Sequence, residues 1–117
     1  MELAEALAKI AQWATAGRVL KVVVISEAAD LTDSGWGGAD TDGAALLRVV
    51  YGRDADQSEV DVVFDVSGAS VAKSSIWDAN TDQQKKFGNF DEVVGLSLSN
   101  GQTILLMCTL PKQQTDN

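Results

Sequence analysis

The sequence predicts an α+β fold, with an N-terminal helix packed on a mostly antiparallel five-stranded sheet. Three observations carry this. Apolar residues near the N-terminus recur at helical spacing, later runs alternate with a period of two, and Asn100-Gly101 separates two apolar stretches as a hairpin turn does. The 117 residues suffice for one core, so residues 1–110 are expected to form a single domain and 111–117 a polar tail.

The helix is predicted over Glu2–Ala16. Leu3, Leu7, Ile10 and Ala14 mark one face, Ala6 and Trp13 widen it, and Glu5 and Lys9 form an i,i+4 pair. Gly17 stands where a left-handed cap residue belongs. Arg18–Ser26 follows as a strand, apolar on both faces except for Lys21, which places it centrally in the sheet. The link between the two is so short that the helix should fold back across that sheet.

Residues Glu27–Gly43 read as a long glycine- and aspartate-rich connection. Ala44–Tyr51 and Glu59–Ser67 then form an antiparallel hairpin, the latter with Val60, Val62, Phe64 and Val66 on one face and Asp61, Val63 and Asp65 on the other. Gly68–Gly88 is expected to supply a short helical region between the third and fourth strands. Val93–Ser99 and Gln102–Leu110 close the fold as a hairpin, with Ser99 opposite Gln102 across a two-residue turn. That register puts Val94, Leu96 and Leu98 on one face with Thr103, Leu105 and Met107. The last strand is apolar on both sides and therefore interior, and Pro111 ends it.

This order of helix, three strands, helix and two strands resembles that of the specialised chaperones of type III secretion, which are also small and acidic. The resemblance lies in element order alone, without their final helix, and carries no site residue over.

Charge distribution is more informative than its total of −8. Ten acids lie between Glu27 and Asp65, opposed only by Arg48 and Arg53, while the rest of the chain is balanced. Such a field repels nucleic-acid phosphates and favours a basic partner. The complete absence of histidine removes Ser-His-Asp and Cys-His catalysis and every histidine metal site. One cysteine, Cys108, makes neither an internal disulfide nor a thiolate zinc site, and fits a reducing cytoplasm. The opening MELAEALAKI lacks a basic n-region, so no signal peptide is expected. No run reaches the roughly 18 apolar residues of a membrane span.

The connection DSGWGGADTDG is the place to look for a site. Long structureless loops are uncommon in compact domains and often functional, and a tryptophan makes a large contact at small entropy cost. Trp36 is thus either a contact anchor or a staple holding its own loop to the core. Asp30, Asp33, Asp40 and Asp42 are hard oxygen donors of the kind calcium takes. The frame starting at Asp40 fails at Ala44 and Ala45, where an EF-hand needs an acid and a glycine. The glycines make no phosphate loop either, since no Lys-Ser/Thr follows them. No metal or cofactor is expected.

The expected function is therefore a non-catalytic binding module, cytoplasmic and homodimeric, that recognises a protein partner. Chaperone, inhibitor and immunity-type adaptor are the compatible subclasses. Trp36, Asp33, Asp40, Asp42, Asp61 and Asp65 are the candidate contact residues. The alternative is a small-molecule pocket protein or minor enzyme with carboxylate acid–base groups, its cavity lined by Leu7, Ile10, Trp13, Val62, Phe64 and Leu105.

Overall fold

The computed structural model describes residues 2–28, 30–71, 90 and 92–109. Its elements are α1 (Leu3–Thr15), β1 (Leu20–Ile25), β2 (Leu31–Thr41), β3 (Leu46–Arg53), β4 (Glu59–Asp65), β5 (Ser70–Val71), β6 (Glu92–Ser97) and β7 (Thr103–Cys108). The N-terminal helix does pack on an antiparallel sheet, but that sheet has seven strands rather than five, in the order β4-β3-β2-β1-β7-β6-β5. Two strands were missed. β2 occupies most of the expected loop, and β5 begins the segment expected to be helical. Of that segment, residues 68–71 form a turn and β5, and no helix is found there. The remainder of the expected helical region, and the tail 111–117, lie outside the described residues. The order that carried the resemblance is therefore departed from after β3, where β4 and β5 follow among the described residues.

Helix α1 forms for the reasons its spacing implies. Ala6, Leu7, Ile10 and Trp13 are buried, and fully burying a side chain such as Leu7 or Ile10 contributes about 2 kcal/mol. Its C-terminus is a Schellman cap: the Gly17 amide donates to the Ala14 carbonyl and the Arg18 amide to the Trp13 carbonyl, with Gly17 at φ +66°. Lys9 pairs not with Glu5 but with Glu92 of β6, which also accepts the Trp13 indole N–H. Glu5 instead turns back to accept the Glu2 amide at the start of the helix.

β1 is the central strand, buried at every position. β2 pairs with it on one side, with Lys21 opposite Trp36, and with β3 on the other, with Gly37 opposite Tyr51. The glycines that suggested a loop have a packing role. A Cβ on Gly37 would lie 1.9 Å from the Val50 carbonyl oxygen and 2.5 Å from Tyr51 Cα, and one on Gly35 would meet the Gly52 carbonyl at 2.1 Å and the Tyr51 ring at 2.6 Å. Bare backbone at 35 and 37 lets Tyr51 lie against β2 on the helix side.

The β6–β7 hairpin differs from expectation by one residue. The Leu98 amide donates to the Gln102 carbonyl and the Leu98 carbonyl accepts the Gly101 amide. With Ser97 opposite Thr103 and only Gly101 at positive φ, the loop holds three residues, Ser99 to Gly101. Asn100 uses its side-chain oxygen to accept the Gln102 amide instead. A one-residue slip flips a strand's faces. Val94 and Leu96 accordingly stand beside Leu106 and Ile104, on the helix side, not beside Leu105 and Met107.

The two edge strands, β4 and β5, are joined by residues 66–69 alone. That link spans at most ~18 Å, whereas seven flat strands span about 29 Å from edge to edge. The sheet must therefore curl, and it curls around α1. Its inner face forms the main core, with Val66 and Ala69 of the link buried in it. A smaller cluster of Val23, Ile25, Leu105 and Met107 lies on the outer face, with Phe90 and Val93 against it.

Candidate functional site

Strand alternation divides DSGWGGADTDG between the two faces. Asp33, Gly35, Gly37 and Ala39 share the phase of Tyr51 on the inner side, while Ser34, Trp36, Gly38 and Asp40 share that of Lys21 on the outer side. Trp36 is thus a strand residue, not a loop residue, and it is 46% exposed on the outer face. It is both a held side chain and an open one. The Phe90 ring lies with its centroid 6.0 Å away at 41°, and the Lys21 ammonium sits 5.1 Å from the Trp36 centroid.

Lys21 is the one buried charged residue among those described, at 5% exposure. Its ammonium pairs with Asp54 from the turn after β3, and the Ser34 hydroxyl donates to the same carboxylate oxygen at 2.8 Å. Lys21 first, and Ser34 after it, hold the Asp54 carboxyl below its usual range. The chain's single lysine in an otherwise apolar strand was the available sign that an outer-face partner existed. Nothing local to Phe90 announced its position beside Trp36.

The other predicted contact residues separate into outer-face groups and turn or core groups. Asp61 stands on the outer side of β4, where the Arg48 guanidinium forks onto both of its oxygens, Nε at 2.9 Å. This pairing lowers the Asp61 carboxyl and raises Arg48. Asp40 is on the same face, and its carboxylate accepts the Thr41 amide. Asp65, also outer, accepts the Ser67 amide and hydroxyl and is lowered by them.

Asp33 faces inward instead. It accepts the Tyr51 hydroxyl at 2.6 Å and Arg53 Nε at 2.9 Å. Burial, and after it this bond to the carboxylate, pushes the Tyr51 phenol up to about 12. Asp42 shapes the β2–β3 turn, where one of its oxygens accepts the amides of Ala44, Ala45 and Leu46, and those amides hold its carboxyl low. These two aspartates are structural acceptors, so the structure does not bring all six predicted residues together.

Trp36 lies opposite Gly52, and further along the same outer face, toward the β2–β3 turn, β3 and β4 expose apolar side chains that sequence reasoning did not single out: Leu46 at 48% and Val63 at 55%. An open groove of about 520 Å³ lies where α1 hands over to β1, lined by Arg18, Val19, Gly38, Asp40, Arg48 and Val50 among others. Gly38 keeps its floor low, since a Cβ there would meet nothing within 4 Å. The residues expected to line a cavity under α1 fall on both sides of the sheet. Leu7, Ile10 and Trp13 are packed in the inner core, and Leu105 belongs to the outer cluster, so those residues line no common space.

Among the described residues no three acids or thiols converge as metal ligands, and no helix is long and apolar enough to cross a membrane. No protein-family model matches the chain, and searches of curated proteins and of solved structures find no significant match.

Proposed function

We propose that this chain is a non-catalytic binding module that recognises a protein partner through the outer face of β2–β4, with Trp36 as its central contact. The observation that carries the reading is the state of Trp36: half exposed, yet held in one orientation by Lys21 and Phe90. A large aromatic with little rotamer freedom left to lose is the side chain that binding hot spots favour. Leu46 and Val63 offer further apolar contacts toward the other end of the same face. Asp40, Asp61 and Asp65 line the same face between Trp36 and its far end, with Arg48 as the one cation between them, so a basic surface is the complementary partner. Asp33 supports the surface from the inner side and Asp42 from the β2–β3 turn, rather than touching the partner. A reducing, cytoplasmic setting and a homodimeric assembly remain part of the proposal and are separate from this contact.

The reading is tested by placing a photo-crosslinking residue at Leu46, on the proposed face, or at Ala8, on the exposed side of α1. Cell extract should give a discrete adduct from position 46 and none of the same mass from position 8. Trp36→Ala should abolish that adduct, and high salt should weaken it. An adduct from position 46 that survives Trp36→Ala unchanged overturns the reading.

A further inference from the structure

The curl of the sheet leaves a seam along β4. Among the described residues β5 pairs with β6 through Ser70 and Val71, and the far edge of β4 has no strand beside it. The direction of the hydrogen bonds shows which groups face that seam. The Arg53 amide donates to the Ser58 carbonyl and the Val66 amide to the Ala45 carbonyl, so the even-numbered residues of this stretch bond to β3. Glu59, Asp61, Val63 and Asp65 therefore turn their amides and carbonyls outward, away from β3.

The side chains along the seam alternate in a way that specifies a complement. Val60, Val62 and Phe64 point inward and are only partly buried. With Leu3 and Val71 they are the apolar residues that the main core leaves incompletely covered. Glu59, Asp61 and Asp65 point outward and are exposed. A second copy is a poor occupant. Antiparallel β4–β4 pairing about Val62 sets Glu59 against Asp65 of the other copy, and like charges directly opposite each other destabilise a ladder.

We infer that the β4 edge accepts an added strand from a partner, a segment of at least five residues that alternates basic with β-branched apolar side chains. Its backbone pairs with the outward groups of Asp61 and Val63. Its apolar residues complete the cover over Val60, Val62 and Phe64, and its lysines or arginines lie beside Glu59, Asp61 and Asp65. The inference rests on the reading of the chain as a protein-binding module and shares Asp61 and Asp65 with it, but it uses the backbone edge of β4 rather than Trp36, so Val63→Pro and Trp36→Ala separate the two.

The test is an amide-resolved NMR titration of the whole protein with an acetylated, amidated nonapeptide of alternating lysine and valine. The control peptide carries glutamate in place of lysine. The expected result is shifts centred on Asp61 and Val63, newly slowed exchange of those amides, weakening with salt, and no binding of the control. Val63→Pro removes an outward amide while leaving the β3 ladder intact. It should weaken the peptide by roughly tenfold, the loss of one or two backbone hydrogen bonds, with its melting temperature reported beside it. Glu59→Gln tests the charge independently of any backbone change and should weaken the peptide by a smaller factor. Amides of Asp61 and Val63 already protected in the free protein, or shifts confined to the Trp36 face and unaffected by Val63→Pro, overturn the inference. The second of those results leaves the Trp36 reading standing.

Discussion

The two halves of the outer sheet face follow the same alternation and end in opposite states. On β1, β7 and β6 the outward residues Lys21, Val23, Ile25, Leu105 and Met107 are buried, with Phe90 and Val93 against the apolar ones. On β2, β3 and β4 the outward residues include Trp36, Asp40, Leu46, Arg48, Asp61, Val63 and Asp65, and all of these are exposed. The difference is one of desolvation. Covering an apolar half-face is favourable, whereas covering carboxylates costs more than their pairing returns. The ten acids between Glu27 and Asp65 fall on β2–β4 and the turns around them. The charge excess that is diffuse in the sequence is therefore a map of which half-sheet stays wet. Lys21 at the boundary is the exception that fits: it is buried because Asp54 and the Trp36 ring receive its charge.

The sharpest way to break this comparison uses two adjacent glycines on opposite faces of β2. Gly37→Ala drives a methyl into the Val50 carbonyl and the Tyr51 backbone, and should cost about 4 kcal/mol or more. Gly38→Ala meets open space on the wet side and should change stability by no more than about 0.5 kcal/mol. Urea unfolding of the two variants decides it. Similar values would mean that β2 does not separate a packed face from an open one.

The next contrast lies wholly on the outer face. Leu105→Ala empties part of the covered half, where the side chain is 3% exposed, and should cost about 3 kcal/mol. Leu46→Ala, in the open half, should stay within about 0.5 kcal/mol. A large cost at Leu46 would show that the open half is covered after all, and would remove the surface on which the proposed binding depends.

How far the sequence disclosed this arrangement depended on which residues carried the signal. Helix α1, the central position of β1, the β3–β4 hairpin and the interior position of β7 follow from apolar spacing, because burial itself generates that spacing. β2 was hidden because its inward residues are Gly35, Gly37 and Ala39. Their smallness answers to Tyr51 on the neighbouring strand, a long-range fact that no local propensity carries. A seventeen-residue loop beside a central strand was itself the warning, since that strand needs an antiparallel neighbour. The β6–β7 register was missed for a related reason. Asn100-Gly101 suits both a two-residue and a three-residue loop, and Asn100 satisfied the choice through its side chain rather than through positive φ. In the candidate site, composition singles out Trp36 but not its orientation, and Lys21 is legible as the one charge in β1, whereas its partner Asp54 comes from a turn 33 residues away.

The smallest effects come from the acids themselves, and they separate inner from outer once more. Tyr51→Phe deletes the hydroxyl that Asp33 accepts and should cost about 1 kcal/mol near neutral pH. Its pH signature is distinctive. A phenol raised to about 12 in the fold, from an ordinary value near 10, favours the folded state fully below about pH 10. That contribution is lost as pH rises from about 10 through 12, because the unfolded chain ionises first. The wild type should therefore lose stability over this window more steeply than Tyr51→Phe. The outer carboxylates behave in the opposite sense. Asp61 and Asp65 are held below the ordinary carboxylate range, so their contribution is present above about pH 4 and fades as pH falls further. Asp61→Asn should flatten the acid limb of the stability profile and leave the alkaline limb untouched. Comparison of the two variants by thermal unfolding across pH thus reads the inner and outer faces one at a time. If Asp61→Asn moved the alkaline limb, Arg48–Asp61 and Tyr51–Asp33 would be one coupled network rather than two, and the division between a packed inner face and an independently wet outer one would fail.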